Sequence, residues 1–159
     1  MLPRVYVETT IISYLAARMS SNIVAAARQQ ITHHWWNRHR RYFELYISES
    51  VIREIEVGDS RASAKRLTLV EGLPRLEVND DVSSLAKLLL SPQIIPKEYP
   101  EDAVHLALAT VHRMDFLLTW NFRHLANAQI AKAAYDLLSS NGWVMPVICT
   151  PESLPSEIK

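Results

Sequence analysis

Short apolar runs alternate with longer amphipathic segments along the chain. Five runs rich in β-branched and aromatic residues predict strands over residues 4–7, 44–47, 75–78, 115–119 and 144–148. The segments between them carry apolar residues three or four positions apart, as at Ile23, Ala27, Ile31 and Trp35. This spacing predicts helices over residues 23–36, 48–57, 82–90, 100–113 and 130–138.

The order of these elements predicts an α/β fold. Parallel neighbours need crossover connections, and a helix between successive strands supplies them. We therefore expect a mainly parallel central sheet of four to five strands, flanked by helices on both faces. A length of 159 residues suits one domain, and we expect residues 1–159 to form it.

Composition adds little about partners. The 17 basic and 17 acidic residues cancel, so net charge gives no attraction to nucleic acid. Residues 35–41 (WWNRHRR) concentrate basic and aromatic side chains. They are either a solvated helix end or a nucleic-acid contact, because stacking on bases and pairing with phosphates use these residue types.

The chain reads as a cytoplasmic protein. Its one cysteine, Cys149, lies in an apolar run, so we expect a buried and unreactive thiol rather than a disulfide. The first residues lack the pattern of a signal peptide, and no apolar run approaches the roughly 20 residues that span a bilayer.

Acidic and amide residues fall at the ends of the predicted strands. Glu8 follows the first strand, and Glu49 and Glu54 lie in the helix after the second. Glu101 and Asp102 open the helix before the strand at 115–119, and Asn121 follows that strand. Ligands bind beyond the carboxyl ends of parallel strands, where such side chains converge. Taken singly, Glu54, Asp102 and Asn121 also fit a solvated flank, a helix first turn and a cap. Glu8 is harder to explain in that way, because a buried charge without a partner is costly.

As a set, these residues favour an oxygen-ligand site for Mg²⁺ or Mn²⁺, which prefer carboxylates and water. Such a site is suited to phosphodiester hydrolysis. The chain has no Cys/His spacing typical of zinc, no glycine-rich phosphate loop and no serine-nucleophile motif.

Four segments of the chain resemble PIN domains of VapC-type toxins. They are VYVETTIISYL, LYISESVIREIEVGD, PEDAVHLALATVHRMDFLLTWNFRHL and VMPVICTPESL, in that order over nearly the whole chain. The resemblance is most specific in EDAVHLALA followed by DFLLTWNFRHL.

The resemblance implies a metal-dependent ribonuclease that acts as the toxin of a toxin–antitoxin pair. It implies a catalytic set of Glu8, Glu54, Asp102 and Asn121, in which Glu8, Glu54 and Asp102 hold Mg²⁺ or Mn²⁺. Thr9 or Thr119 is a candidate to position water or a ligand. The implied partners are an RNA substrate, a cognate antitoxin and a second copy of the chain in a homodimer.

Two positions depart from the family pattern. Glu8 stands where the family usually has Asp, and Asn121 is an amide, which removes one charge. The departures leave open a catalytically impaired module that binds RNA or an antitoxin. A receiver domain or a haloacid-dehalogenase-like phosphatase is a further alternative, but both need an Asp nucleophile after a strand, where this chain has Glu8-Thr9-Thr10.

Overall fold

Strand β1 (Arg4–Val7) lies at the centre of a parallel sheet in the computed structural model, which describes residues 1–156. Its neighbours are β2 (Glu44–Ser48) and β4 (Phe116–Leu118), while β3 (Arg75–Leu76) and β5 (Val147–Cys149) form the edges. The order is β3-β2-β1-β4-β5, and every adjacent pair is parallel. The predicted α/β fold with a parallel sheet is therefore confirmed.

Seven α-helices connect the strands within residues 1–156. They are α1 (Thr9–Ala16), α2 (Ile23–Arg38), α3 (Glu49–Glu56), α4 (Ser60–Val70), α5 (Asp80–Leu90), α6 (Pro100–Val111) and α7 (Ala128–Ser140). A short 3-10 turn, Arg40–Tyr42, follows α2. Along β1, Val5, Tyr6 and Val7 are all fully buried although alternate side chains point to opposite faces. Both faces of the sheet centre are therefore covered.

The sequence pattern did not predict α1 and α4. The first turns of α1 contain Thr and Ile, which have low helix propensity. The helix forms because its N-cap accepts a backbone hydrogen bond and because Ile11, Ile12 and Leu15 are buried on one side. In α4 only Ser63 and Val70 are buried, so an apolar stripe is hardly visible in the sequence.

The tryptophans of the segment 35–41 belong to the core. Trp35 and Trp36 are buried, and the Trp35 Nε1 donates a hydrogen bond to the Leu154 carbonyl at 2.6 Å. Their rings are therefore not exposed for stacking on a base. The arginines of this segment stay on the surface, with the Arg40 guanidinium 4.6 Å from the Trp36 ring centre.

The thiol of Cys149 is buried, as the sequence predicts, and burial raises its pKa to about 12. None of the helices formed by residues 1–156 is long and apolar enough to cross a membrane. The predicted domain over 1–159 extends into residues 157–159, which lie outside the described residues.

The direction in which the chain builds the sheet reverses at β1. From β1 the chain adds β2 and then β3 on one side, and it then returns to add β4 and β5 on the other. In open α/β sheets, ligands bind beyond the carboxyl ends of the strands at such a reversal, which here are the ends of β1 and β4. Backbone pairing continues past both strand ends, with Glu8 N bonded to Leu118 O at 3.0 Å and Thr119 N to Cys149 O at 2.9 Å. Glu8 and Thr119 are thereby held side by side at this edge of the sheet.

Candidate metal centre

Glu8 is a buried carboxylate at the end of the central strand. It serves as the N-cap of α1, and its Oε2 accepts hydrogen bonds from Thr10 N at 3.0 Å, from the Thr10 hydroxyl and from the Thr119 hydroxyl at 2.8 Å. Burial raises the pKa of this carboxyl, although the charge of His105 and these hydrogen bonds oppose the increase. Every hydrogen bond that the Glu8 carboxylate accepts from the described residues goes to Oε2, so Oε1 has none.

The two threonines that hold Glu8 also fix the backbone around it. The Thr10 hydroxyl accepts a hydrogen bond from Trp120 N, and the Thr119 hydroxyl accepts one from Asn121 N, both at 2.9 Å. Thr119 thus positions Glu8, and its predicted role in positioning water or a ligand stays a prediction. The Thr9 hydroxyl is buried and has no hydrogen-bond partner among the described residues.

Glu54 reaches the same place from α3. Its Oε1 contacts His105 Nε2, and its side chain remains 33% exposed whereas that of His105 is 1% exposed. His105 lies on α6, and its other ring nitrogen, Nδ1, is 2.6 Å from the Tyr6 hydroxyl. Tyr6 in turn lies 2.7 Å from the Ser48 hydroxyl, which accepts a hydrogen bond from Val51 N at 3.2 Å.

The contact with Glu54 determines where His105 carries a proton, because a carboxylate accepts hydrogen bonds and does not donate them. A neutral ring that accepts from the Tyr6 hydroxyl at Nδ1 carries its proton on Nε2, and a doubly protonated ring does so as well. In both states Nε2–H donates to the Glu54 carboxylate. Burial lowers the pKa of His105, but the hydrogen bond and charge of Glu54 and the charges of Glu8 and Asp102 outweigh it, so the pKa is raised. His105 therefore orients Glu54 from behind.

Glu8, Glu54 and His105 form a compact group that could hold a metal ion. One ligand atom from each lies within 4.8 Å of the other two. No lysine or arginine forms an ion pair with either carboxylate among residues 1–156. Two carboxylates that converge in a largely buried place repel each other unless a cation offsets their charge. A divalent cation could offset this repulsion, because Glu8 Oε1 accepts no hydrogen bond from the described residues and Glu54 is partly exposed.

A second polar cluster lies around Asp102, in the first turn of α6. Asp102 Oδ1 accepts a hydrogen bond from Asn121 Nδ2 at 3.1 Å, and Oδ2 lies 2.7 Å from His124 Nδ1. The Asn121 carbonyl oxygen accepts a hydrogen bond from His124 N at 3.1 Å, which closes the cluster. Asp102 precedes His105 by one helical turn, and its charge contributes to the raised pKa of His105. The two clusters are therefore electrostatically coupled.

The four residues predicted for the site thus form two pairs. Glu8 and Glu54 belong to the group that could hold a metal, whereas Asp102 and Asn121 are bonded to each other. The roles of all four in metal binding and catalysis stay predictions.

Sequence reasoning missed His105 and His124. Each lies three residues after a predicted site residue, Asp102 and Asn121 respectively. For His105 this spacing places both side chains on one face of α6, and a histidine within the apolar run of that helix is the signal that could have identified it.

Comparisons of the chain with protein-family models and with curated proteins found no match.

Removing the Tyr6 hydroxyl tests the buried hydrogen-bond chain. We expect Tyr6→Phe to lower the free energy of unfolding by about 1–3 kcal/mol, because His105 Nδ1 and the Ser48 hydroxyl lose a buried partner. Urea denaturation of the apo protein measures this change. The control is Tyr135→Phe, since Tyr135 is 53% exposed and its change should stay within about 0.5 kcal/mol. Equal unfolding free energies for the two variants would contradict the buried chain of hydrogen bonds through Tyr6.

Titration with Mn²⁺ tests the metal group directly. We expect the wild-type protein to bind Mn²⁺ in isothermal titration calorimetry, and Glu8→Gln or Glu54→Gln to weaken binding by on the order of 10-fold or more, since even outer partners of a metal site contribute that much. Glu56→Gln is the matched control, because Glu56 is an exposed carboxylate on the same helix as Glu54. Unchanged affinity in both site variants would show that the ion binds elsewhere.

Proposed function

We propose that this protein is a divalent-metal-dependent ribonuclease with a PIN-like fold. The observation that carries the proposal is the convergence of Glu8 and Glu54 beyond the carboxyl ends of β1 and β4, with Asp102 in the adjoining cluster. Ligand sites of open parallel sheets lie in this position. The resemblance of the sequence to PIN domains supports the same residues independently of their geometry.

The ligands that the candidate group offers favour a hard cation. Two of the three residues that could hold an ion are carboxylates, whose oxygens suit Mg²⁺ or Mn²⁺ better than softer metals. Such an ion supplies charge neutralisation at a phosphate and a water ligand of lowered pKa. These are the requirements of phosphodiester hydrolysis.

The residues of the chain then have distinct tasks. Glu8, held by Thr10 and Thr119, and Glu54, held by His105, bind the ion in fixed positions. Asp102 adds negative charge beside them, and its hydrogen bonds to Asn121 and His124 set its orientation. Because neighbouring side chains hold these carboxylates by hydrogen bonds, the carboxylates need to move little during the reaction.

A second candidate function is that of an impaired PIN-like module that binds RNA or an antitoxin without cleaving RNA. The observation in its favour is that Asn121 and His124 occupy both oxygens of Asp102, so this carboxylate is engaged by protein groups. The amide at position 121 also removes a charge that a second ion would use. Cleavage by pure protein separates the two candidates.

We further propose that the ribonuclease is the toxin of a VapBC-type pair and forms a homodimer. The proposed inhibitor is an antitoxin whose arginine or lysine reaches Glu8, Glu54 and Asp102. A side-chain cation would neutralise these carboxylates without supporting hydrolysis.

Cleavage of RNA by carboxylate variants tests the enzymatic proposal. We expect Asp102→Asn to lose on the order of 10²-fold or more in rate, because the proposed site loses one of the carboxylates that hold the cation and, with it, the charge stabilisation that the cation would supply in the transition state. Glu8→Gln should be inactive, whereas Glu8→Asp should keep part of the activity. The measurement is cleavage of fluorescent single-stranded RNA with Mn²⁺ or Mg²⁺, repeated in EDTA, with Glu56→Gln prepared in parallel. A folded Asp102→Asn protein that cleaved at the wild-type rate would show that the site is wrong, and uncut RNA with every metal would favour the impaired module.

Expression in a bacterial host tests the toxin proposal. We expect growth arrest by the wild-type protein, relief by co-expression of the neighbouring reading frame, and no arrest by Asp102→Asn. Co-purification with that neighbour and the mass of the complex by light scattering measure the partner. A harmless wild-type protein that stays monomeric and binds no neighbour would contradict the toxin assignment while leaving the fold untouched.

A further inference from the structure

Two aromatic–arginine pairs adjoin the Asp102 cluster, and neither is needed to build the candidate metal centre. In the first pair the Arg28 guanidinium lies 4.9 Å from the centre of the Phe122 ring, and it lies 5.6 Å from that of Trp120. Phe122 directly follows Asn121 and is 44% exposed. A large apolar ring is thus held at the surface beside the site.

The first pair stands on a rigid support. Trp120 is buried, its Nε1 donates to the Thr32 hydroxyl at 2.7 Å, and its backbone N donates to Thr10, which holds Glu8. The Phe122 ring centre lies 6.0 Å from that of Trp120. Phe122 is therefore placed relative to Glu8 through a short chain of fixed contacts.

The second pair lies at the start of α6. The Arg123 guanidinium is 4.8 Å from the centre of the Tyr99 ring, and Tyr99 is 36% exposed. The Tyr99 ring centre lies 4.3 Å from that of His124, which contacts Asp102. Phe122 and Arg123 are consecutive in the chain, so the two pairs meet next to Asn121.

Both arginines keep their hydrogen-bonding capacity. Neither guanidinium forms an ion pair or a side-chain hydrogen bond with any residue in the range 1–156. A stacked guanidinium offers its N–H groups in the plane of the group, where a phosphate can accept two of them. Two such cations beside a carboxylate cluster can hold a polyanion that the carboxylates alone would repel.

We propose that Phe122, Arg28, Tyr99 and Arg123 form a binding surface for a single-stranded segment of the RNA substrate, in which a base stacks on Phe122 and phosphates pair with the arginines. This inference rests on the proposed ribonuclease function and specifies how that site holds its substrate. Duplex RNA keeps its base faces inside the helix, so an exposed ring recognises unpaired bases. A protein partner fits less well, since each exposed ring here is paired with a cation instead of joining a continuous apolar patch.

Fluorescence anisotropy with a labelled single-stranded RNA of about 12 nucleotides, in EDTA to prevent cleavage, tests the surface. We expect Phe122→Ala to weaken binding on the order of 10-fold, and Phe122→Trp to retain it, because stacking on one base contributes roughly this much. Arg28→Ala should weaken binding and reduce the slope of log K against log salt by about 0.7, the value for one lost phosphate contact on a single strand. The controls are Tyr135→Ala, an exposed ring on α7, and Arg61→Ala, an exposed arginine on α4.

Wild-type affinity in both Phe122→Ala and Arg28→Ala would overturn the surface, as would duplex RNA of the same sequence that binds as tightly as the single strand. If Phe122→Ala and Arg28→Ala abolished binding to a co-expressed protein partner but left RNA binding unchanged, the surface would belong to that partner. This result would also overturn the proposed RNA-binding surface. The assay is independent of turnover. If the protein bound RNA as expected in EDTA but never cleaved it with Mn²⁺, the ribonuclease proposal would be contradicted, and with it the assignment of this RNA as a substrate. If Phe122→Ala and Arg28→Ala left cleavage unaffected, only the proposed surface would be contradicted.

Discussion

The central strand β1 imposes the constraint on which the candidate site depends. It is buried on both faces and pairs with β2 on one side and β4 on the other, so the chain leaves it at a point surrounded by other strand ends. Glu8 is the first residue beyond it, and it must cap α1 while it lies beside Thr119. One carboxylate oxygen of Glu8 takes these hydrogen bonds, and the other stays free of them.

The site concentrates negative charge where water is largely excluded, and the surrounding groups reduce the cost of that arrangement. Hydroxyls of Thr10 and Thr119 donate to Glu8, and His105 donates to Glu54. These hydrogen bonds do not fully offset the cost of burying the charge. Burial disfavours the charged form of Glu8 and raises its pKa, while the neighbouring carboxylates favour a charged imidazole and raise the pKa of His105. A divalent cation between Glu8 and Glu54 would neutralise the charge of both carboxylates. Metal affinity therefore depends on the same burial of charge that raises the pKa of Glu8.

The amide of Asn121 has a structural role in the Asp102 cluster. Asn121 can both donate to Asp102 and accept from His124 N, which an aspartate could not do at the same time. The amide therefore orders the loop after β4 and holds Phe122 and Arg123 at its exposed end. The zero net charge of the chain likewise conceals a local arrangement in which arginines stacked on aromatic rings border a group of carboxylates.

The amino-acid sequence alone was enough to predict the fold class and the four candidate site residues. Apolar periodicity located all five strands to within a few residues and five of the seven helices found in residues 1–156, because burial of one face leaves a regular trace. Polar residues that follow the strands, or lie in the adjoining helices, indicated one edge of the sheet, and the resemblance to PIN domains selected Glu8, Glu54, Asp102 and Asn121 among them. The strand order, the burial of Trp35 and Trp36, and the contacts of these four residues with His105 and His124 became known from the three-dimensional structure alone. Those outcomes depend on contacts between residues distant in the chain, such as Tyr6, Ser48 and His105, and no local pattern encodes which distant partner a buried polar group will meet.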